Sequence, residues 1–206
     1  MEIQHITEKF RNRKPSILGS EDYTKFAVLL PLIKIKDELH VLFEVRSLQL
    51  RRQPGEVCFP GGKCDLSDKD ECHTAIRETS EELGIDESDI VNIFPLDFML
   101  SPFGTIIYPF VGFIENSEGI NPNSSEVEEI FTVPLSFFKE TKPEIFEVSF
   151  KVEPDENFPY NQIIGGEKYN WQARKMEEWF YYYEDRVIWG MTARIIGHFI
   201  SVIKND

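Results

Sequence analysis

The first half of the chain opens with apolar runs separated by short polar breaks, which is the pattern of paired strands. Two such runs, residues 27–35 and 39–45, are separated by Lys36-Asp37-Glu38, which predicts two strands joined by a tight turn. The stretch Phe59-Pro60-Gly61-Gly62 then predicts an end to regular structure, because proline and glycine favour turns.

A helical pattern follows this turn. From Asp70 to Leu83 apolar residues recur every three or four positions, while carboxylates occupy the other faces, which predicts an amphipathic helix. Gly84 stands where a C-cap glycine would end that helix. Residues 1–14 mix apolar and charged positions and predict a short leading helix before Pro15.

The second half of the chain predicts further strands and a closing helix. The predicted strands are residues 90–100, 106–114, 127–133 and 145–152. A short helix is predicted from Pro134, turns over residues 153–170, and an apolar-faced helix over residues 186–203. Strands interleaved with two substantial helices predict an α/β or α+β fold, and 206 residues suit a single domain.

Charge and cysteine content narrow the class of partner. The formal net charge is −14, which argues against nucleic acid or an anionic membrane as the main partner, because phosphate binding needs a basic surface. The longest apolar stretch, residues 26–33, is too short to span a bilayer. The three cysteines follow no disulfide or zinc spacing, and no signal peptide is visible at the N-terminus, so we expect a cytoplasmic protein.

The predicted helix carries the candidate chemistry in its segment Arg77-Glu78-Thr79-Ser80-Glu81-Glu82. Glu78, Glu81 and Glu82 are spaced i, i+3 and i+4, so three carboxylates share one helix face with neighbouring Cβ atoms about 5–6 Å apart. These like charges repel one another, and a divalent cation with a preference for hard oxygen ligands would relieve the repulsion. The simpler alternative is an acidic face exposed to solvent.

This segment resembles the Nudix box, which consists of a glycine, five residues, a glutamate, seven residues and then R-E-U-x-E-E-x-G-U, where U is bulky and apolar. Arg77 to Ile85 match the second half, with Thr79 weak at the first U position. In the first half Asp68 stands six residues after Gly62 in place of glutamate, and eight residues separate it from Arg77. The role of Asp68 is therefore left open, and capping of the helix start is the alternative.

The segment before the box resembles the coenzyme A pyrophosphatase branch of this family. Ser47, Arg51, Gly55 and Phe59-Pro60-Gly61-Gly62 recur at the intervals of that branch's signature, although Glu44 stands where a threonine is often written. The box that is longer by one residue also resembles this branch. The likeness covers about residues 25–135 and 186–203 and leaves residues 139–185 as a variable segment.

The resemblance implies a Nudix-type α/β/α sandwich with a mixed sheet and a loop-helix-loop catalytic motif. It also implies a set of ligands for one to three Mg²⁺ or Mn²⁺ ions: Glu78, Glu81, Glu82 and the backbone carbonyl of Gly61. Arg77 is expected to orient a glutamate of this set. The general base is left open between Glu81 and the loop carboxylates Glu126 and Glu128.

The substrate implied by this branch is coenzyme A or a derivative, cleaved to 3′,5′-ADP and 4′-phosphopantetheine. The expected substrate-binding residues are Arg46, Ser47, Arg51, Gly55 and Lys63, with Arg52 in the same basic cluster. The alternatives are another Nudix activity, on ADP-ribose, NADH or a dinucleotide polyphosphate, and a non-catalytic regulatory module. The sequence leaves the oligomeric state open, a homodimer included, and also the form of coenzyme A that is preferred.

Overall fold

Helices and strands alternate along the chain in the computed structural model, which describes residues 3–172 and 174–204. The helices are α1 (Ile3–Phe10), α2 (Glu71–Leu83), α3 (Leu135–Glu140) and α4 (Gly190–Lys204). The strands are β1 (Thr24–Ile35), β2 (Glu38–Arg46), β3 (Val57–Cys58), β4 (Gly61–Lys63), β5 (Ile90–Pro95), β6 (Met99–Ser101), β7 (Thr105–Ile114), β8 (Val127–Pro134), β9 (Glu144–Phe150), β10 (Arg174–Tyr183) and β11 (Arg186–Trp189). Among the helices described, none has the length and apolar character needed to cross a membrane.

The larger sheet has eight strands and is mixed. Its main path runs β3-β2-β1-β7-β5, and β4, β6 and β8 pair with β1, β7 and β2 in turn. Strands β1 and β7 are parallel and the other pairings are antiparallel. The mixed sheet predicted from the family resemblance is therefore confirmed.

Helices cover both faces of this sheet because successive side chains of β1 and β2 point to opposite sides. Leu30 and Leu32 pack into a core that includes residues of α3 and α4. Leu29 and Ile33 pack into a second core that includes Ala75 and Leu83 of α2. The α/β/α sandwich is confirmed, and α2 lies against the face to which the odd-numbered residues of β1 point.

The segment at residues 139–185, which the family pattern left unplaced, builds most of a second, three-stranded sheet. Its order is β11-β10-β9, and it is antiparallel. Tyr181 and Ile188 are buried in the same core as α4, and the ring of Trp179 lies against Gly197 of that helix. This segment therefore thickens the layer opposite α2.

Two predicted boundaries were wrong. The strand predicted over residues 90–100 is two strands that both pair with β7: β5 ends at Pro95, which has no N–H to donate, and β6 begins at Met99. The helix predicted over residues 186–203 begins at Gly190, because residues 186–189 pair with β10 as β11. A positive φ of 62° at Gly190 lies at the change from strand to helix.

The Gly197–Trp179 contact makes the attachment of α4 testable. A Cβ at position 197 would lie 2.3 Å from the indole Cζ3. We expect Gly197→Ala to lower the free energy of unfolding by about 1–3 kcal/mol through overpacking, measured by urea denaturation. The control Ser201→Ala, at an exposed position of α4, should change it by less than about 0.5 kcal/mol. Equal stability of both variants would contradict this packing.

Candidate active site

Helix α2 is capped at both ends. The side chain of Asp70 accepts a hydrogen bond from the backbone N–H of His73 at 2.8 Å, and Gly84 closes the helix with a left-handed φ of 63°. The N-cap is therefore Asp70, and the capping role that was the alternative for Asp68 is wrong.

Asp68 instead forms the main ion pair of the site. Its carboxylate, with 3% of the side chain exposed, accepts two hydrogen bonds from Arg77, one from Nε at 3.0 Å and one from Nη2 at 3.1 Å. The hydroxyl of Thr74 donates at 2.8 Å and the backbone N–H of Asp65 at 2.9 Å. Hydrogen bonds from Arg77 are the largest of the effects that hold the pKa of Asp68 well below its usual range. The extra residue of the box therefore leaves this carboxylate within reach of Arg77.

Arg77 also holds two of the predicted metal ligands. Its Nη2 donates to Glu78 Oε1 at 2.7 Å, and its Nη1 donates to Glu81 Oε2 at 3.3 Å. Glu81 is the most open of these carboxylates, with 56% of its side chain exposed. The predicted orienting role of Arg77 thus has a direct geometric basis, because one guanidinium spans three carboxylates.

The two glycines before the box bring backbone against the buried carboxylates of α2. The N–H of Gly61 donates to Glu82 Oε2 at 2.7 Å, and a Cβ at position 62 would lie 2.3 Å from Glu78 Cδ. Gly61 has a φ of 149°, and a Cβ there would meet the backbone oxygen of Ala27 at 2.3 Å. Side chains are therefore excluded at both positions, by the backbone of β1 at Gly61 and by the carboxylate of Glu78 at Gly62.

Burial changes the acid–base character of these glutamates. Glu82 is 5% exposed, and desolvation, followed by the negative charge of Glu44, raises its pKa. Desolvation also raises the pKa of Glu78, against the opposing effect of Arg77. Both groups are carboxylates that the fold keeps out of water without full compensation of their charge.

Glu44 is a site residue that the sequence reasoning missed. It lies near the C-terminal end of β2, is 1% exposed, and accepts a hydrogen bond from the thiol of Cys58 on β3 at 3.2 Å. Desolvation is the main cause that raises its pKa, and the charge of Glu126 adds to it. The sequence feature that could have identified it is a single glutamate inside the apolar run Val41-Leu42-Phe43-Glu44-Val45.

The loop before β8 brings Glu126 toward the same cluster. The negative charge of Glu126 raises the pKa of Glu44, Glu78 and Glu82. Its backbone oxygen accepts from the N–H of Ser47 at 2.8 Å, and its Oε2 accepts from Asn123 at 3.0 Å. Glu128 follows as an exposed residue of β8, and the electrostatic contacts therefore favour Glu126 of the two.

The predicted substrate-binding residues divide into two groups. Arg46 and Gly55 close a loop, because the N–H of Gly55 donates to the backbone oxygen of Arg46 at 2.9 Å, and Ser47 is buried beside Glu126. Within the part of the chain that the structure describes, the Nε of Arg46 is buried and has no hydrogen-bond partner. Arg51 and Lys63 are exposed; their role stays a prediction.

No three His, Cys, Asp or Glu side chains in residues 3–172 and 174–204 are grouped as a metal site. Arg77 occupies oxygens of Glu78 and Glu81, and the N–H of Gly61 occupies one of Glu82. The metal ligands inferred from the family resemblance therefore stay predictions. The geometry itself establishes that Glu82 is buried beside Gly61 of β4, with the half-buried Glu78 against Gly62.

Comparisons with known proteins agree on one family. A family model described as NUDIX domain matches residues 25–180. The chain is 42% identical over 114 residues to the peroxisomal coenzyme A diphosphatase NUDT7 of Mus musculus, which covers 55% of this chain and 48% of that protein. It is 32% identical over 185 residues to the uncharacterized Nudix hydrolase NudL of Photorhabdus laumondii, covering 90% of this chain and 88% of that protein. The chain thus spans about half the length of the mouse protein.

A solved structure supports the fold. The MutT/nudix family protein from Enterococcus faecalis has a TM-score of 0.53 to this chain at 16% sequence identity, covering 99% of this chain and 70% of that one. At this level of identity the likeness concerns the fold alone, and it agrees with the α/β/α layers described above.

The Asp68–Arg77 pair predicts a pH-dependent contribution to stability. The folded-state pKa of Asp68 is lowered, so its contribution is present above the unfolded pKa of about 3.9 and is lost as the pH falls further. We expect Asp68→Asn to lower the free energy of unfolding at pH 7, and the difference from the wild type to narrow below about pH 4. Urea denaturation across pH measures this, with Asp65→Asn as an exposed control in the same loop. A difference that is constant with pH would contradict it.

Proposed function

Because the chain belongs to the NUDIX domain family, we propose that it hydrolyses the pyrophosphate bond of coenzyme A or a derivative. The products would be 3′,5′-ADP and 4′-phosphopantetheine or its acylated form. The observation that carries the proposal is that the segment with the coenzyme A signature folds directly onto the carboxylate helix. Gly61 donates to Glu82, Gly62 lies against Glu78, and Gly55 closes its loop on Arg46.

The likeness to the mouse coenzyme A diphosphatase supports this substrate over other nucleoside diphosphate derivatives. The chain is acidic overall, with a net charge of −14, so a phosphorylated substrate needs local positive charge. Within the described residues the buried Nε of Arg46 has no hydrogen-bond partner, and Arg51 lies in the same signature loop. Arginine suits this role because its planar donors match phosphate oxygens.

The residues present fit a divalent cation. Glu78, Glu82, Glu81 and the Gly61 carbonyl would hold Mg²⁺ or Mn²⁺, which prefer hard oxygen ligands. The fit rests on the buried carboxylate of Glu82, which the negative charge of Glu44 opposes, and on an oxygen of Glu44 with no partner within the described residues. When bound, such an ion supplies charge neutralisation for the pyrophosphate and lowers the pKa of a coordinated water.

The remaining roles in the reaction would belong to side chains of the protein. Arg77 fixes Glu78 and Glu81 through its guanidinium, which limits the positions that these carboxylates can adopt. The proton of the attacking water would pass to Glu81 or Glu126, since both are exposed and lie at the open edge of the cluster. Glu126 would accept it at Oε1, because its Oε2 already accepts from Asn123. The cytoplasmic location and a homodimer stay predictions from the sequence.

The substrate proposal is tested by analysis of products. The full chain incubated with coenzyme A and Mn²⁺ should release 3′,5′-ADP and 4′-phosphopantetheine, resolved by chromatography. We expect kcat/KM on coenzyme A to exceed that on ADP-ribose, because the signature loop carries the additional basic residues. A higher kcat/KM on ADP-ribose would overturn the substrate while leaving the family assignment intact.

The carboxylate helix is tested by Glu82→Gln. The amide keeps the size of the side chain, so the fold should be retained, but turnover should fall on the order of 10²–10³-fold, the scale for loss of one preorganised electrostatic group. The control is Glu87→Gln, at an exposed carboxylate just beyond the helix, and it should turn over at the wild-type rate. Near-wild-type kcat in Glu82→Gln at saturating Mg²⁺ would remove Glu82 from the proposed set.

A further inference from the structure

Glu44 faces the carboxylate helix because of its place in β2. Side chains alternate along a strand, and Leu42, two positions earlier, is buried in the core that α2 shares. Val41 and Phe43 are buried in the opposite core with α3 and α4. Glu44 therefore lies on the side of the sheet that carries Glu82, yet it belongs to no part of the box motif.

Only one of the two carboxylate oxygens of Glu44 has a hydrogen-bond partner among the described residues. Its Oε1 accepts from the Cys58 thiol at 3.2 Å, which is a weak donor. Its Oε2 is buried and has no hydrogen-bond partner within residues 3–172 and 174–204. A buried carboxylate oxygen without a hydrogen-bond partner costs free energy. Such an oxygen in a folded protein therefore points to a ligand from outside the protein chain.

The charges around Glu44 are mostly negative. Glu82 and Glu126 face it from α2 and from the loop before β8, and each interacts with it electrostatically. Arg46, two positions along the same strand, supplies positive charge and lowers the pKa of Glu44, but its Nε makes no hydrogen bond to a described residue. The carboxylates of Glu44 and Glu82 thus share a buried space with little cationic compensation.

We propose that Glu44 is an additional ligand for a divalent cation, which it holds from the sheet side together with Glu82 of α2. This inference rests on the proposed function and extends the ligand set beyond the box to strand β2. A divalent cation would satisfy the free oxygen of Glu44 and offset the repulsion between the two carboxylates at the same point. Threonine, often written at this position of the signature, would offer no carboxylate for that purpose.

The test measures Mn²⁺ binding to the full chain without substrate, by titration calorimetry and by paramagnetic resonance of free Mn²⁺. We expect Glu44→Gln to weaken Mn²⁺ binding at one site at least 10-fold, or to reduce the number of bound ions by one. Glu44→Thr should behave in the same way. The matched control is Glu38→Gln, at an exposed carboxylate of the same strand, and it should bind as the wild type does.

Thermal unfolding gives a second readout that does not depend on activity. Without metal, Glu44→Gln should be at least as stable as the wild type, because the substitution removes an uncompensated buried carboxylate. With Mn²⁺, the rise in Tm should be smaller in the variant than in the wild type, because binding to the folded state alone stabilises it. An equal rise in both proteins would overturn the role of Glu44.

The outcomes separate this inference from the proposed function. If the wild type binds Mn²⁺ and both Glu44 variants bind it with the same affinity and number of ions, Glu44 is no ligand, and the box glutamates keep their proposed role. If the wild type binds no Mn²⁺, the metal site itself is overturned, and the role of Glu44 with it.

Discussion

Carboxylates held out of water against a glycine backbone are the constraint on which the rest of this site depends. Glu78 can lie where it does only because position 62 carries no side chain, and Gly61, which packs against the backbone of β1, donates its N–H to Glu82. Arg77 holds the outer carboxylates and pairs with Asp68. Although the guanidinium and the backbone donor favour the charged carboxylates, burial first and repulsion second still raise the pKa values of Glu78 and Glu82.

The sheet determines which groups meet this helix. Because α2 packs on one face of the sheet, every second residue of β1 and β2 points to the side that it covers. The apolar ones belong to the core under the helix, and Glu44 places a carboxylate on the same side. On the opposite face α3, α4 and the small sheet pack against the same strands. The candidate chemistry therefore lies on the side of the sheet that α2 covers.

The loops complete the arrangement by bringing distant segments to one edge. Ser47 follows β2, and its N–H donates to the backbone oxygen of Glu126, which precedes β8. The loop with the coenzyme A signature and the loop with the candidate base are thus joined directly.

Local sequence was enough to predict β1, β2, α2 and the C-cap at Gly84, since alternation, helical periodicity and capping act over a few residues. It was also enough to identify Glu78, Glu81 and Glu82 as a group, because i, i+3 and i+4 spacing is a local property. It did not separate β5 from β6 or β11 from α4, because strand pairing depends on partners elsewhere in the chain.

Only the tertiary structure decided which carboxylates are buried together. Glu44 and Glu82 are 38 positions apart, and their proximity follows from the packing of α2 against the sheet, which no short-range pattern encodes. Asp68 lies in the loop before α2, and its burial against Arg77 depends on how that loop folds onto the helix. The sequence by itself determined which residues could bear the chemistry. Packing decided their distances and exposure to water, because desolvation and charge repulsion depend on position in space and not on order along the chain.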